Sequence, residues 1–376
     1  MGAGFSRRAG LPLADELWLE VMRRVRQYDW IQEDLDWQLS QYAKFRSSRG
    51  DEVTSEELDF EDFLGFLDLE HALGLKGSDH FGDEGNELQI VIKWTIAQII
   101  VERTPPVDQL PRCYSEFANL LQPGDYVLTF NYDNILESVL EAEGKDFRLF
   151  TNRYEEIHES YGVGDSSRDE IVVLKLHGSV DWFDRAGYEQ SERQYQDISS
   201  SLKPKSLVFG PNRIVETEKL LEGPQFPDDS LDSAYRVVKG LRNLYLRRPP
   251  MLVCPILLAP SSMKVLYARR LRYFFWGLGQ AGGMNLGLAV IGYSLPRHDD
   301  YARLFIMRMF ANYQGMWWDA DFSGMKKTAA LIIDFRPDTS SDESIEDSFG
   351  FSDPEKTVFF FGGFDSEAIS LLNEGT

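Results

Sequence analysis

Apolar residues first recur at helical spacing with Leu13, Leu17, Val21 and Val25, flanked by Trp18 and Met22, which predicts one buried helix face over this stretch. Gly10, Leu11 and Pro12 form the bend that leads into it. Residues 28–118 keep a helical spacing but are rich in aromatic and acidic side chains, with Phe60, Phe63, Leu64, Phe66 and Leu67 and then an apolar pattern over 88–101. An inserted helical lobe follows from this, with the acidic residues 79–87 as a loop between two of its helices. The period then changes. Residues 126–130 are a short β-rich run, followed by Asn131 and a helical pattern of Ile135, Leu136, Val139 and Leu140. Residues 171–176 are apolar except for Lys175, and an unbroken apolar run suits a parallel strand covered on both faces.

Residues 184–250 are polar and irregular, with six prolines and a basic patch from Arg242 to Arg248. They read as a second insertion. Strand patterns return at residues 255–258, 288–291 and 331–333, and a last apolar run at 358–361 precedes a short helix at 366–372. Strands separated by helical stretches predict an α/β protein with a doubly wound, Rossmann-like parallel sheet. Residues 1–27, 119–183 and 251–376 would build the core, 28–118 the helical insertion and 184–250 the irregular one. A first core strand is missing ahead of Gly2.

Composition narrows the function classes. A net charge of -22 over 376 residues argues against a surface built to neutralise nucleic-acid phosphates, because that affinity comes from lysine and arginine. An anionic ligand would instead need backbone N–H donors or a buried pocket. Two cysteines, Cys113 and Cys254, are too few for a disulfide framework or a four-thiolate zinc site. Arg7 and Arg8 interrupt any signal-peptide core, and no apolar run approaches the ~20 residues of a bilayer span. A cytoplasmic protein with no membrane contact is the expectation.

Ligands of open parallel sheets bind at the carboxyl ends of the strands. Five such ends carry informative residues: the turn of Gly2, Ala3, Gly4, Phe5 and Ser6; Asn131 with Asp133; His177; Gly292 with Ser294; and Asp334. Glycine turns admit close approach of phosphate oxygens, and histidine titrates near neutrality. Each also has a plainer reading. Asn131 and Asp133 are good helix caps, His177 could be a structural histidine, and Gly292, Ser294 and Asp334 could be ordinary turn residues. His71, His80, His158 and His298 show no ligand spacing and read as surface residues.

Taken in order, these segments resemble the sirtuin-like NAD-binding domain family, and more closely its bacterial branch of NAD-cleaving effectors in phage defence. GAGFSRRAGLP at residues 2–12 resembles the family's glycine turn, TFNYDN at 129–134 its Thr-Gln-Asn-Ile-Asp element, LKLHGSVDWF at 174–183 its His-Gly pair, and VIGYSLPRHD at 290–299 its Gly-Thr-Ser-Leu stretch. The resemblance implies that Gly2, Ala3, Gly4, Phe5 and Ser6 hold the pyrophosphate of NAD through the Ala3 and Gly4 N–H groups and the Ser6 hydroxyl. Gly292 and Ser294 would close on it. Asp334 would take the adenine-side ribose, favouring NAD over NADP. Asn131, Asp133 and His177 would be the catalytic residues at the nicotinamide ribose, with His177 moving a proton.

Departures from the family pattern shape the expected activity. No cysteine lies between residues 178 and 253, where deacetylating sirtuins carry a zinc module, so no zinc or other metal is expected. Phe130 stands where the family has glutamine, which speaks against acyl-lysine chemistry. Hydrolysis of NAD to nicotinamide and ADP-ribose is the leading expectation, with NAD or an ADP-ribose derivative sensed without cleavage, or ADP-ribosyl transfer, as alternatives. The resemblance further implies gating, by homo-oligomerisation or by a HerA-type ATPase or Argonaute-like partner, with the helical lobe as the candidate surface. Because relatives place an apolar strand before the glycine turn, the reading frame is expected to start about 10 to 25 residues upstream.

Overall fold

The computed structural model describes residues 1–50, 60–73, 75, 87–149, 153–159, 161–198, 206–226, 231–249, 253–259, 285–296, 299–321, 324, 326–335 and 345–374. Residues 79–86 of the expected acidic loop, together with His80 and His298, lie outside them.

The chain opens with the single turn α1 (Ala3–Arg7) and continues through α2 (Ala14–Val25), α3 (Gln32–Ser48), α4 (Phe60–Ala72), α5 (Glu87–Arg103) and α6 (Arg112–Leu120). The apolar face read from residues 13–25 is that of α2, where Leu17, Trp18, Val21 and Val25 are buried. α5 is apolar nearly all round, and accordingly most of its residues from Leu88 to Val101 are buried, as expected of a helix inside a fold. It packs against α2. Next come β1 (Tyr126–Thr129), α7 (Ile135–Ala142), β2 (Phe147–Leu149), β3 (Tyr154–Ile157), β4 (Gly162–Gly164), β5 (Ile171–Lys175), β6 (Gly178–Asp184) and α8 (Arg185–Ile198). They are followed by β7 (Glu216–Lys219), β8 (Ala234–Lys239), α9 (Leu241–Tyr245), β9 (Pro255–Leu257), β10 (Ala289–Ile291), α10 (Asp300–Gly315), β11 (Ala330–Ile333), α11 (Ile345–Ser348), β12 (Thr357–Phe360) and α12 (Ser366–Glu374).

Two parallel sheets form the α/β, Rossmann-like core, with strand orders β1-β5-β2 and β10-β11-β12. β5 is buried along its whole length. Its side chains alternate between two apolar clusters, Ile171 and Val173 in one and Val172 and Leu174 in the other, so both faces of the sheet are covered. Met1 and Gly2 bridge the two sheets at their carboxyl edges. The Met1 amino group donates to Leu128 O at 2.6 Å, Met1 O accepts from the Phe130 N–H at 3.0 Å, and the Gly2 N–H donates to Ile291 O at 3.0 Å. Burial lowers the Met1 amino group to about 5. These bonds tie the start of α1 to the ends of both β1 and β10.

A third sheet departs from the sequence reading. β6, β7, β8 and β9 pair antiparallel in the order β7-β8-β6-β9, drawing together the His-Gly segment and residues expected to be an irregular insertion. β9 therefore belongs to this sheet and not to the parallel core. The physical reason is its neighbour: β6 reverses immediately after His177 and offers β9 a partner before the chain can return to the parallel layer. Among the described residues, no helix is long and apolar enough to cross a membrane.

Candidate functional site

The glycine turn is fixed by its own side chains before any ligand is considered. Phe5 is buried, edge-on to Tyr114 at 5.1 Å and tilted against Phe364 at 4.6 Å between ring centroids. Its side chain thus serves the core, and only its backbone faces the strand ends. The Tyr114 hydroxyl, from α6, donates to Phe5 O at 2.6 Å. Gly4 donates its N–H to Gly292 O at 2.9 Å, so this donor, expected for pyrophosphate, is committed within the protein. The Ser6 hydroxyl is committed too, donating to Asp133 Oδ2 at 2.7 Å. Ala3, by contrast, is exposed at the start of α1.

Gly292 explains why both turns are glycine-rich. It adopts φ +58°, and a Cβ there would collide with the Gly4 carbonyl carbon and the Phe5 nitrogen. A Cβ at Gly2 would in turn meet Gly292 O at 2.6 Å. The two turns cross backbone to backbone, which demands glycine on both sides independently of any phosphate. Beyond Gly292 the bend continues through Ser294, which is exposed, to Leu295 at φ 56°.

Asn131 and Asp133 extend from the end of β1 under this crossing. The Asn131 amide donates both hydrogens inward, to Gly2 O at 2.9 Å and to Ser6 Oγ at 3.0 Å, which leaves its Oδ1 as the group to offer a ligand. Asp133 accepts from Ser6 through Oδ2 and from the Ile135 N–H through Oδ1 at 3.1 Å, a local turn bond one residue ahead of Asn134, the N-cap of α7. Burial pushes the Asp133 carboxyl above the usual carboxylate range, against the opposing pull of Lys175 and the Ser6 hydroxyl.

His177 ends β5. Its carbonyl accepts from the Leu258 N–H at 2.8 Å, and the residue after it, Gly178, takes φ +82° with its α-carbon facing Ile256 O. Only glycine fits there, which is the physical content of the His-Gly pair. The His177 ring lies edge-on to Phe130 at 5.0 Å, and Phe130 stacks on Tyr293 at 4.2 Å and 12°. His177 Nε2 is 3.0 Å from Asp299 Oδ2, and that same oxygen accepts from the Tyr293 hydroxyl at 3.1 Å. Asp299 is wholly buried and caps α10 through Oδ1, which accepts from the Ala302 N–H at 3.1 Å. Burial, with Asp299 beside it, holds the Tyr293 phenol well above its ordinary range, so it remains a proton donor.

Gly2, Ser6, Asn131 and Asp133 are thus joined by direct hydrogen bonds, and Gly4 meets Gly292. His177 stands beside them across Phe130. Asp334 lies apart, at the end of β11 on the far side of β10, half-buried, its backbone paired with Phe360 and Gly363 at 2.9 Å. Three residues were not anticipated: Asp299, Tyr293 and Lys175. Lys175 is visible in the sequence as the one polar interruption of an apolar strand, and Asp299 as the end of the VIGYSLPRHD stretch. Neither Cys113 nor Cys254 is held in a disulfide, and the described residues contain no cluster of three or more histidine, cysteine or carboxylate groups placed to hold a metal.

Residues 125–240 match the family model described as a SIR2-like domain, which supports a sirtuin-like family for this chain. The match contains Asn131, Asp133 and His177, while the glycine turn and residues 289–334 lie outside it. No curated protein matches the chain. SIR2-like domains use NAD, the ligand class expected of this chain.

Proposed function

We propose that the chain hydrolyses NAD at the nicotinamide glycosidic bond, releasing nicotinamide and ADP-ribose, as a gated effector of the kind found in bacterial phage defence. The observation that carries this reading is the paired arrangement at two adjacent strand ends: a buried carboxylate and carboxamide after β1, and a histidine bonded to a buried aspartate after β5. Glycosidic cleavage passes through an oxocarbenium-like centre, which a carboxylate such as Asp133 stabilises. The C–N bond breaks with its electron pair going to the nicotinamide nitrogen, and water supplies the new C–O bond. With Nε2–H donating to Asp299, Nδ1 is the ring nitrogen that takes the proton of the attacking water, and Asp299 stabilises the imidazolium that forms. Asn131 Oδ1 would orient the leaving carboxamide or the water. Ala3 and the Gly292 turn would line the pyrophosphate path.

His177 is only 3% and Asn131 9% exposed, with the Phe130–Tyr293 stack over the histidine. Substrate access to these buried groups therefore requires a local rearrangement, in keeping with an enzyme kept quiet until triggered. Product analysis tests the reading: purified protein incubated with NAD labelled in the adenine ring should yield one free ADP-ribose per nicotinamide. Label retained on protein would instead favour ADP-ribosyl transfer, and bound but intact NAD would favour sensing.

A further inference from the structure

Lys175 closes β5 in register with Thr129, the last residue of β1. Its side chain is fully buried; Nζ donates to the Asp133 carbonyl oxygen and pairs with Glu137 Oε1 at 2.7 Å. Burying an ammonium costs several kcal/mol unless it is well paired, so a lysine inside an otherwise apolar strand is expensive to keep for packing alone. Three carboxylates surround it. They are Asp133, Glu137 on α7 and Asp181 on β6, the last hydrogen-bonded by Ser179. Further out, Tyr114 on α6 faces Asp133, and Arg236 on β8 faces Asp181 and Glu141.

We propose that Lys175 is a positioning residue for the reaction: its ammonium pins the Asp133 carbonyl, and with it the turn bearing Asn131 and Asp133, while countering the negative charge of the Asp133 side chain. This deepens the hydrolase reading and rests on it. Burial favours a neutral Asp133, and Lys175 is the largest influence in the opposite direction. Without it Asp133 would take up a proton at higher pH, and the turn would lose the anchor that sets Asn131 beneath Gly2 and Ser6. Glu137 is the competing explanation. If Lys175 merely neutralises Glu137, removing both charges together should cost nothing.

The test compares Lys175→Met with the double variant Lys175→Met/Glu137→Gln. Both should lose about tenfold in nicotinamide release, with the acid limb of the pH profile moved to higher pH, because misplacement of a reacting group by about 1 Å costs up to 10²-fold. The double variant should regain the urea midpoint that the single variant loses, yet keep the shifted profile. Recovery of both midpoint and wild-type profile in the double variant overturns the proposal. Should the wild type release no nicotinamide, the hydrolase reading fails on its own, and carboxyl-labelled NMR of Asp133 decides the role of Lys175. An Asp133 titration that moves upward in the double variant supports it, and an unmoved one overturns it.

Discussion

The ends of β1 and β5 lie next to each other in one sheet and both carry a titratable group out of water, yet they hold it in opposite ways. After β1, the Asp133 carboxylate is bonded by a hydroxyl and a backbone N–H, and its cation, Lys175, reaches the backbone instead of the carboxylate. After β5, His177 meets its counter-charge directly through Asp299, inside an aromatic enclosure. The first arrangement restrains where a chain segment lies. The second restrains a ring's orientation. Changes on the β1 side should therefore disturb geometry and charge together, whereas changes at Asp299 should disturb proton transfer with the fold intact.

The largest expected effect falls on the backbone that turns His177 into place. Gly178→Ala forces a Cβ against Ile256 O at φ +82° and should cost about 4 kcal/mol or more in urea unfolding, among the most damaging single changes. A loss under about 1 kcal/mol would mean that the β6–β9 pairing is looser than described. Asp299→Asn keeps an acceptor for the Ala302 N–H but withdraws the charge from His177. Nicotinamide release should fall about 10²–10³-fold with little change in KM or midpoint. An unchanged rate would make Asp299 a cap and nothing more.

Asp133→Asn separates stability from function on the β1 side. A carboxyl raised by burial penalises the folded state as pH climbs from the ordinary aspartate value, 3.8, through the folded one, and the penalty is complete above it. The amide removes that penalty. The variant should unfold at higher temperature than wild type at neutral pH, converge with it in acid, and lose about 10²-fold in rate. A lower midpoint at neutral pH would show that the Ser6 bond outweighs the desolvation. Smallest is Tyr114→Phe, which removes the anchor on Phe5 O and should cost about 1 kcal/mol.

Strand ends were legible because short apolar runs followed by polar residues mark them, and β1, β5, β10, β11 and β12 fall where those runs predict. The antiparallel sheet was not. β7 reads Glu-Thr-Glu-Lys and is mostly exposed, so no alternation of apolar and polar positions announces it, and β6 is buried on both sides and likewise lacks alternation. Asp299 escaped because its partner is 122 residues away and its local surroundings are those of any helix cap. The glycines were legible as glycines, but their reason was not. Gly4 and Gly292 are required by the crossing of two backbones, a tertiary fact that no local pattern carries.

The proposed hydrolysis requires both strand ends to act on one glycosidic bond. It is tested most directly by nicotinamide release from NAD at saturating substrate, compared among wild type, Asn131→Ala and His177→Ala after urea midpoints establish that all three are folded. The wild type should release nicotinamide, and each variant should lose about 10²-fold or more. Equal release from all three would contradict it.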